Sequence, residues 1–182
     1  MQTPSTIMKH DSITIENYLT ELWPDWRQEI PHLLDLFNEL TLEEGELLPN
    51  QRGDIYYLIW GTIGKYSKKE PLRYIDTGEL IIIPLKPSLL LFKALIRTKV
   101  MLLQRPALYK IVEECPRSII LYDEILSRQQ ESSEFRNSIL KLPKGQRLEA
   151  FRSRYSRVTA IISRKELADF LKISIESLRK QF

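Results

Sequence analysis

Side chains suited to bind nucleic acid are concentrated near the carboxyl end of the sequence. Residues Lys144–Phe182 contain 10 lysines and arginines and 4 acidic residues, a net charge of +6 in a chain whose formal net charge is +3. Arginine and lysine can bind guanine edges or phosphates, serine a phosphate or a base, and glutamate the amino group of cytosine. The candidate contact residues are Ser163, Ser174, Ile175, Glu176, Ser177, Arg179 and Lys180. We therefore predict a segment that binds double-stranded DNA.

Two short helices are expected to position these side chains. Ser163 followed by Glu166 has the spacing of a capping box, which opens a helix. Ser174 can cap a second helix in the same way. These signals predict a helix on each side of a turn.

The spacing of the apolar residues matches a helix-turn-helix. Ala168, Lys172 and Leu178 are separated by four and then six residues, with Ala168 small where the helices must approach and Leu178 facing it. Ile173 is expected to be buried as the pivot. The other side chains of the second helix should then project outward: Ile175, Glu176, Ser177, Arg179 and Lys180. A small three-helix bundle without a DNA-binding role can show the same spacing. The excess of basic residues in this segment is what favours DNA binding over that alternative.

The middle of the chain has the pattern of short strands. Turn residues cluster at 44–46 and 49–54, and β-favouring runs lie between glycines and prolines. The predicted strands include Ile55–Trp60, Leu80–Ile83, Leu89–Phe92 and Thr98–Leu103. Strands at this spacing predict an antiparallel roll or sandwich.

Helical patterns surround these strands. Amphipathic helices are predicted from Ser12 to Trp23 and over Ile30–Leu40, and a short helix after Pro106. A longer helix follows Pro116, with apolar residues at both ends and a polar centre. Its apolar stripe can pack on the chain's own roll or on a partner chain, and both interpretations stay open.

Other classes of chemistry lack their residues. Cys115 is the single cysteine and is expected to pack as a small residue; it cannot form an internal disulfide or hold an iron–sulfur cluster. His10 and His32 have no acidic or cysteine neighbours at metal-binding spacing. The acidic clusters fit turns and helix surfaces. We therefore expect no enzyme activity, catalytic residue, metal or cofactor.

The apolar runs are too short to cross a bilayer, for which about 20 residues are needed. The first eleven residues have no apolar segment behind a basic start. The sequence therefore predicts a cytoplasmic protein that is not embedded in a membrane.

From about Leu33 to Phe182 the chain resembles the Crp/Fnr family of regulators, which includes the cyclic-AMP receptor. The resemblance is carried, in chain order, by 44–47, 56–61, 78–80, the long helix after Arg117, 147–151 with Tyr155, and 163–180. The last of these is the most specific, because Leu167-Ala168-x-Phe170-Leu171-x-Ile173-Ser174-x-Glu176-Ser177-Leu178 looks like the family's DNA-reading segment.

The resemblance implies an α+β fold. It consists of N-terminal helices, an antiparallel β-roll of the double-stranded β-helix or jelly-roll type, a long connecting helix and a winged-helix-like helix-turn-helix. The expected domains are a cyclic-nucleotide-binding-like roll over 1–115, a dimerisation helix over 116–142 and a DNA-binding domain over 143–182. The resemblance also implies a homodimer that reads a palindromic site.

Departures from the family pattern concern the ligand. In nucleotide-binding members a Gly-Glu pair is followed by a Pro-Arg-Ser/Thr-Ala cassette, in which the glutamate holds the ribose and the arginine the cyclic phosphate. Gly78, Glu79, Pro87 and Ser88 match this pattern, but the arginine is missing. Losing such a contact weakens binding by about ten- to a hundredfold. We expect no response to cyclic AMP and leave the small-molecule effector unidentified; Lys86 and Arg97 are alternative phosphate partners.

The reading segment departs as well. Lys172 occupies the turn position usually given to glycine, which costs about 1 kcal/mol if that residue is left-handed. Lys180 stands where arginine is common, so a bidentate contact becomes a point-charge contact. The prediction is a sequence-specific, DNA-binding transcription regulator. The alternative is an effector-sensing or protein-interaction module whose helix-turn-helix is vestigial.

Overall fold

The computed structural model describes residues 15–49 and 51–181. Within them, seven strands form two antiparallel sheets, one with the order β1-β7-β2-β5 and one with the order β4-β3-β6. The strands are β1 (Phe37–Leu42), β2 (Ile55–Trp60), β3 (Thr62–Ser67), β4 (Glu70–Asp76), β5 (Leu80–Ile82), β6 (Leu90–Ala94) and β7 (Thr98–Leu103). The two sheets enclose an apolar core to which all seven strands contribute. The predicted β-roll is confirmed.

The strand β2 is apolar on both of its faces. Tyr56 and Leu58 point into the core of the roll. Ile55, Tyr57 and Ile59 point to the opposite face, where they pack against helices. Because successive side chains of a strand alternate between its faces, a strand covered on both sides needs a nearly continuous apolar run.

Helices cover the roll and complete the chain. The helix α1 spans 15–22, and the start predicted at Ser12 lies outside the described residues, as does His10. The others are α2 (Trp26–Glu29), a 3-10 turn (Leu33–Leu36), α3 (Arg105–Glu114), α4 (Ser118–Lys141), α5 (Arg147–Arg154), α6 (Ser156–Ile161), α7 (Arg164–Leu171) and α8 (Ile175–Arg179). The described residues after β7 contain no strand, so no wing lies within them.

The helix predicted over Ile30–Leu40 is wrong. This segment forms the 3-10 turn and then β1, which pairs with β7 from Phe37 opposite Leu103 to Leu42 opposite Thr98. Its apolar spacing suits a helix, but the free edge of β7 offers a full ladder of backbone hydrogen bonds. Tertiary pairing therefore overrides the local pattern.

The long helix α4 divides its apolar residues between two environments. Ile125 and Ile139 are buried within the chain. Ile119, Ile120 and Leu126 remain 48%, 66% and 39% exposed. Packing on the chain's own roll is thus confirmed for part of the stripe, and an uncovered apolar strip remains.

Cys115 is buried, as predicted, and its thiol donates a hydrogen bond to the Glu29 carboxylate at 3.0 Å. That bond raises the pKa of the thiol, and burial raises it further. Among the described residues, no group of histidine, cysteine, aspartate or glutamate is arranged to hold a metal ion. No helix in the same part of the chain is long and apolar enough to span a membrane.

Candidate nucleic-acid interface and ligand pocket

The first helix of the predicted pair begins where the capping pattern places it. The Ser163 hydroxyl accepts a hydrogen bond from the Glu166 backbone N–H at 3.1 Å, and α7 follows. Four side chains on its inner face are at most 2% exposed: Leu167, Ala168, Phe170 and Leu171. The start of α7 and its buried face are as predicted.

The turn between the helices is made by a left-handed lysine. Lys172 has φ 53° and ψ 48°, and the backbone N–H of Ile173 donates to the Ala168 carbonyl at 3.1 Å. Ile173 is 9% exposed. The backbone of Lys172 therefore lies in the left-handed region, which favours glycine. For a residue with a side chain this conformation costs about 1 kcal/mol.

The second helix, α8, is capped and anchored at opposite ends. The Ser174 hydroxyl accepts from the Ser177 backbone N–H at 3.1 Å, and Leu178 is fully buried. Glu176, Arg179 and Lys180 are exposed on its outer side.

One side chain of this helix departs from the prediction. Ile175 was expected to project outward, but it is half-buried and packs against the helix-turn-helix core. As the first residue of a five-residue helix, it lies close enough to the turn to cover the core edge. Ser177 is also half-buried, while Ser163 and Ser174 are exposed.

The Glu166 carboxylate does not complete the capping box. It accepts hydrogen bonds from the hydroxyls of Tyr66 at 2.5 Å and Tyr74 at 3.0 Å, both from the β-roll. Burial raises the pKa of Tyr66, and the hydrogen bond to Glu166 raises it further; burial and the Glu166 charge raise the pKa of Tyr74. Both hydroxyls therefore remain protonated donors and fasten α7 to the roll.

Aromatic rings join the roll to the helix-turn-helix in a single apolar cluster. Tyr74 of β4 lies 5.9 Å from Phe151 and 5.3 Å from Phe170, measured between ring centroids. Tyr155 contacts the same rings and also Phe135 of α4, at 5.3 Å. Sequence reasoning missed this cluster, although Phe151 and Tyr155 were among the residues that carried the resemblance.

Arginine side chains hold the same junction from its edges. Arg147 donates to the carbonyls of Leu140, Leu142 and Leu171 at 2.9, 3.0 and 2.9 Å, which ties the end of α4 to the end of α7. The Glu70 carboxylate binds Arg136 and Lys172, each at 2.8 Å. These two cations lower the pKa of Glu70.

The residues predicted for a nucleotide pocket lie in two segments, Gly78 and Glu79 at a turn and Pro87 and Ser88 in a later loop. Gly78 has φ +87°, a left-handed turn conformation, and Glu79 lies between this turn and β5. The Glu79 carboxylate is bound by the guanidinium of Arg73, a buried residue of β4 that sequence reasoning did not single out. Pro87 and Ser88 lie exposed in a loop with no helical turn.

The alternative phosphate partners, Lys86 and Arg97, are both exposed. Lys86 is exposed in the same loop as Pro87 and Ser88. Arg97 is exposed and pairs with Glu43 at 3.2 Å. The loop that contains Lys86, Pro87 and Ser88 has no arginine in the place of the one in the family's cassette.

Several solved structures are similar to this architecture. FixK2 from Bradyrhizobium japonicum is 17% identical, with a TM-score of 0.67 over 80% of this chain and 82% of that one. CLP from Xanthomonas campestris, a c-di-GMP-responsive global regulator, is 17% identical, with a TM-score of 0.63 over 84% and 90%. A CooA double mutant from Carboxydothermus hydrogenoformans is 16% identical, with a TM-score of 0.60 over 82% and 76%.

No protein-family model matches the sequence, and no curated protein sequence does. The likeness to solved structures is therefore one of fold, and it covers 80–84% of this chain. The chain has the fold of the Crp/Fnr regulators.

Proposed function

We propose that this protein is a homodimeric transcription regulator of the Crp/Fnr type that binds double-stranded DNA through α8. The observation that carries the proposal is the geometry of the helix pair. Two serine-capped helices meet at a tight left-handed turn, Leu178 fixes α8 from within, and the charged side chains of α8 remain exposed. A rigid helix with a free polar face is what reading a major groove requires.

The side chains of this face suit distinct contacts. Arg179 can bind a guanine edge through two hydrogen bonds, and Glu176 can accept one from a cytosine amino group. Lys180 supplies a positive charge to a phosphate or guanine. Exposed serine hydroxyls at the two caps can bind phosphates. Ile175, half-buried, offers its remaining apolar surface to a thymine methyl group.

The homodimer is supported by the uncovered strip on α4. Ile119, Ile120 and Leu126 are apolar side chains that remain exposed on this helix. Exposed apolar patches are typical of protein–protein contacts. Pairing of two copies through this helix would give a twofold axis. The two α8 helices would then read half-sites about 10 base pairs apart.

The regulator is proposed not to respond to cyclic AMP. The cassette arginine is absent, the cassette loop is exposed coil, and Glu79 already has Arg73 as its partner. A cyclic nucleotide would have to displace that arginine from the glutamate and bind its phosphate without a dedicated cation. The charge-assisted contacts that give strong nucleotide binding are therefore not available.

The proposal is tested by selecting genomic DNA fragments with the purified protein and then titrating the enriched site at two salt concentrations. We expect a palindrome whose affinity falls steeply with salt, because phosphate contacts release counterions. Weak binding without enrichment would instead support an interaction module that does not read DNA.

Two double variants of equal charge make this test specific. Arg179→Ala/Lys180→Ala should lower affinity for the selected site by about thirtyfold or more, since each good base contact is worth about 1–3 kcal/mol. Lys86→Ala/Lys110→Ala removes two exposed positive charges from the roll and α3. If both pairs weaken binding equally, α8 is not the reading helix.

A further inference from the structure

The hairpin formed by β3 and β4 ends in two lysines that lie beside the helix-turn-helix. Lys68 and Lys69 form the turn of the hairpin, and both are exposed. Two tyrosine hydroxyls of the same hairpin bond Glu166 near the start of α7. Glu70, the first residue after the turn, pairs with Lys172 at the end of α7. The hairpin therefore runs along the whole of that helix.

An open cleft separates this turn from the start of α7, and its lining carries a net positive charge. Two acidic residues line the cleft, Glu166 and Asp169. Against them stand four lysines, which leaves an excess of two positive charges: Lys68, Lys69, Lys93 and Lys165. The charge of the cleft therefore suits an anionic partner.

Three of these lysines are not neutralised within the described part of the chain. Lys68, Lys69 and Lys165 make no ion pair with any described residue. Lys93 differs, because its ammonium group lies over the Tyr66 ring at 5.0 Å from the centroid. The exposed cations available to a partner are therefore at the hairpin turn and at the start of α7.

The backbone of the hairpin turn is strained. Lys68 has φ 56°, and Lys172 is the other residue with a side chain and a positive φ in the described part of the chain. Glycine adopts this conformation without strain, whereas a side chain is disfavoured there. Both positions thus carry a lysine where glycine would be less strained, and both lie along α7. Because backbone strain is concentrated at functional positions, the charge at this turn is the feature that needs an explanation.

The cleft continues into the surface proposed to bind DNA. Ser163, a proposed phosphate contact, is exposed at the start of α7 and lines the cleft together with Lys165. In helix-turn-helix proteins the first helix crosses the phosphate backbone while the second lies in the major groove. A DNA strand that passes the start of α7 would therefore continue toward the hairpin turn.

We propose that Lys68 and Lys69 bind the phosphate backbone of the DNA beside the bases read by α8. This inference rests on the proposed function and adds a surface of the roll to the interface. Ammonium groups bind phosphates as point charges, and such contacts position a protein on the duplex without reading its sequence. The roll thus contributes affinity and orientation, while α8 supplies the sequence preference.

The experiment uses three variants of the full chain. Lys68→Asn/Lys69→Gln removes both charges, and asparagine tolerates the left-handed backbone. Lys68→Arg/Lys69→Arg keeps both charges. Lys86→Gln/Lys110→Gln is the matched control, since it removes two exposed positive charges elsewhere. Each protein is titrated with the selected site and with a scrambled duplex of the same length, at several salt concentrations.

The neutral hairpin variant should bind both duplexes at least about tenfold more weakly at about 100 mM salt, because each phosphate contact releases about one counterion. Two lysines are lost from each subunit of the homodimer, so the plot of log affinity against log salt should become shallower by about 3–4. The ratio of the affinities for the two duplexes should stay unchanged. The arginine variant and the control should behave like the wild type.

Three results would overturn the proposal. The neutral hairpin variant could match the control, which would leave these lysines to an acidic protein partner. Its loss could be confined to the selected site, or the arginine variant could be as weak as the neutral one. Each of these results leaves the proposed function intact. If the wild type binds neither duplex, the proposed function and this inference fail together.

Discussion

The inner and outer faces of the helix-turn-helix are held in different ways. On the inner face, Phe170 and Leu178 are fully buried and Glu166 is bound by two tyrosine hydroxyls of the roll. On the outer face, Arg179 and Lys180 are exposed and make no ion pair with any described residue. Stability therefore depends on the inner face and the proposed DNA recognition on the outer face, and mutations can separate the two.

The inner face also shows that the helix-turn-helix is not packed only on itself. Its core includes Tyr66 and Tyr74, which belong to β3 and β4 of the roll. The charged contacts of Glu70 with Arg136 and Lys172 connect the same hairpin to α4 and to the turn. A change in the roll at this hairpin would therefore reach the position of α7 directly.

The largest effect is expected from removing an aromatic ring at the centre of the inner face. Phe170→Ala should lower the free energy of unfolding by about 3–5 kcal/mol, because it leaves a cavity among three rings. Chemical denaturation of the purified variant measures this change. Arg179→Ala/Lys180→Ala, on the outer face, should stay within about 0.5 kcal/mol of the wild type. Equal losses would contradict the division between the faces.

A smaller loss is expected from the hydroxyl groups that bind Glu166. Tyr66→Phe/Tyr74→Phe keeps both rings and removes both donors, which should cost about 1.5–3 kcal/mol because the carboxylate is left partly buried without them. Denaturation midpoints measure the change. Tyr109→Phe is the control, since that hydroxyl bonds Arg105 at the surface, where Tyr109 is 48% exposed. If both variants change the denaturation midpoint equally, the hydrogen bonds to Glu166 do not hold α7 to the roll.

The smallest effect is expected at Lys172, in the turn between α7 and α8. Lys172→Gly and Lys172→Ala both remove the 2.8 Å ion pair with Glu70, but only glycine relieves the left-handed strain. The glycine variant should therefore be about 1 kcal/mol more stable than the alanine variant. Thermal melting at one pH compares them. Equal stability would show that the turn relaxes around alanine at no cost.

Much of this architecture follows from patterns that act locally. The strand Ile55–Trp60 forms as predicted, because β-branched and aromatic residues suit a strand covered on both faces. The cap at Ser163, the turn at Lys172 and the buried Leu178 are also as predicted. Each depends on residues a few positions apart, where backbone hydrogen bonding leaves few alternatives.

The tertiary structure decided what depends on distant partners. The end of the segment Ile30–Leu40, where a helix is predicted, forms a strand because it pairs with β7. Arg73 binds the carboxylate of Glu79, which the family pattern assigns to a ligand. Glu166 bonds tyrosines about a hundred residues away instead of its own helix start. The sequence alone thus determined most of the order of the elements and the exposure of Glu176, Arg179 and Lys180. Which charges meet across the junction depended on the packing of the roll against the helices, because such contacts leave no periodic signal in the chain.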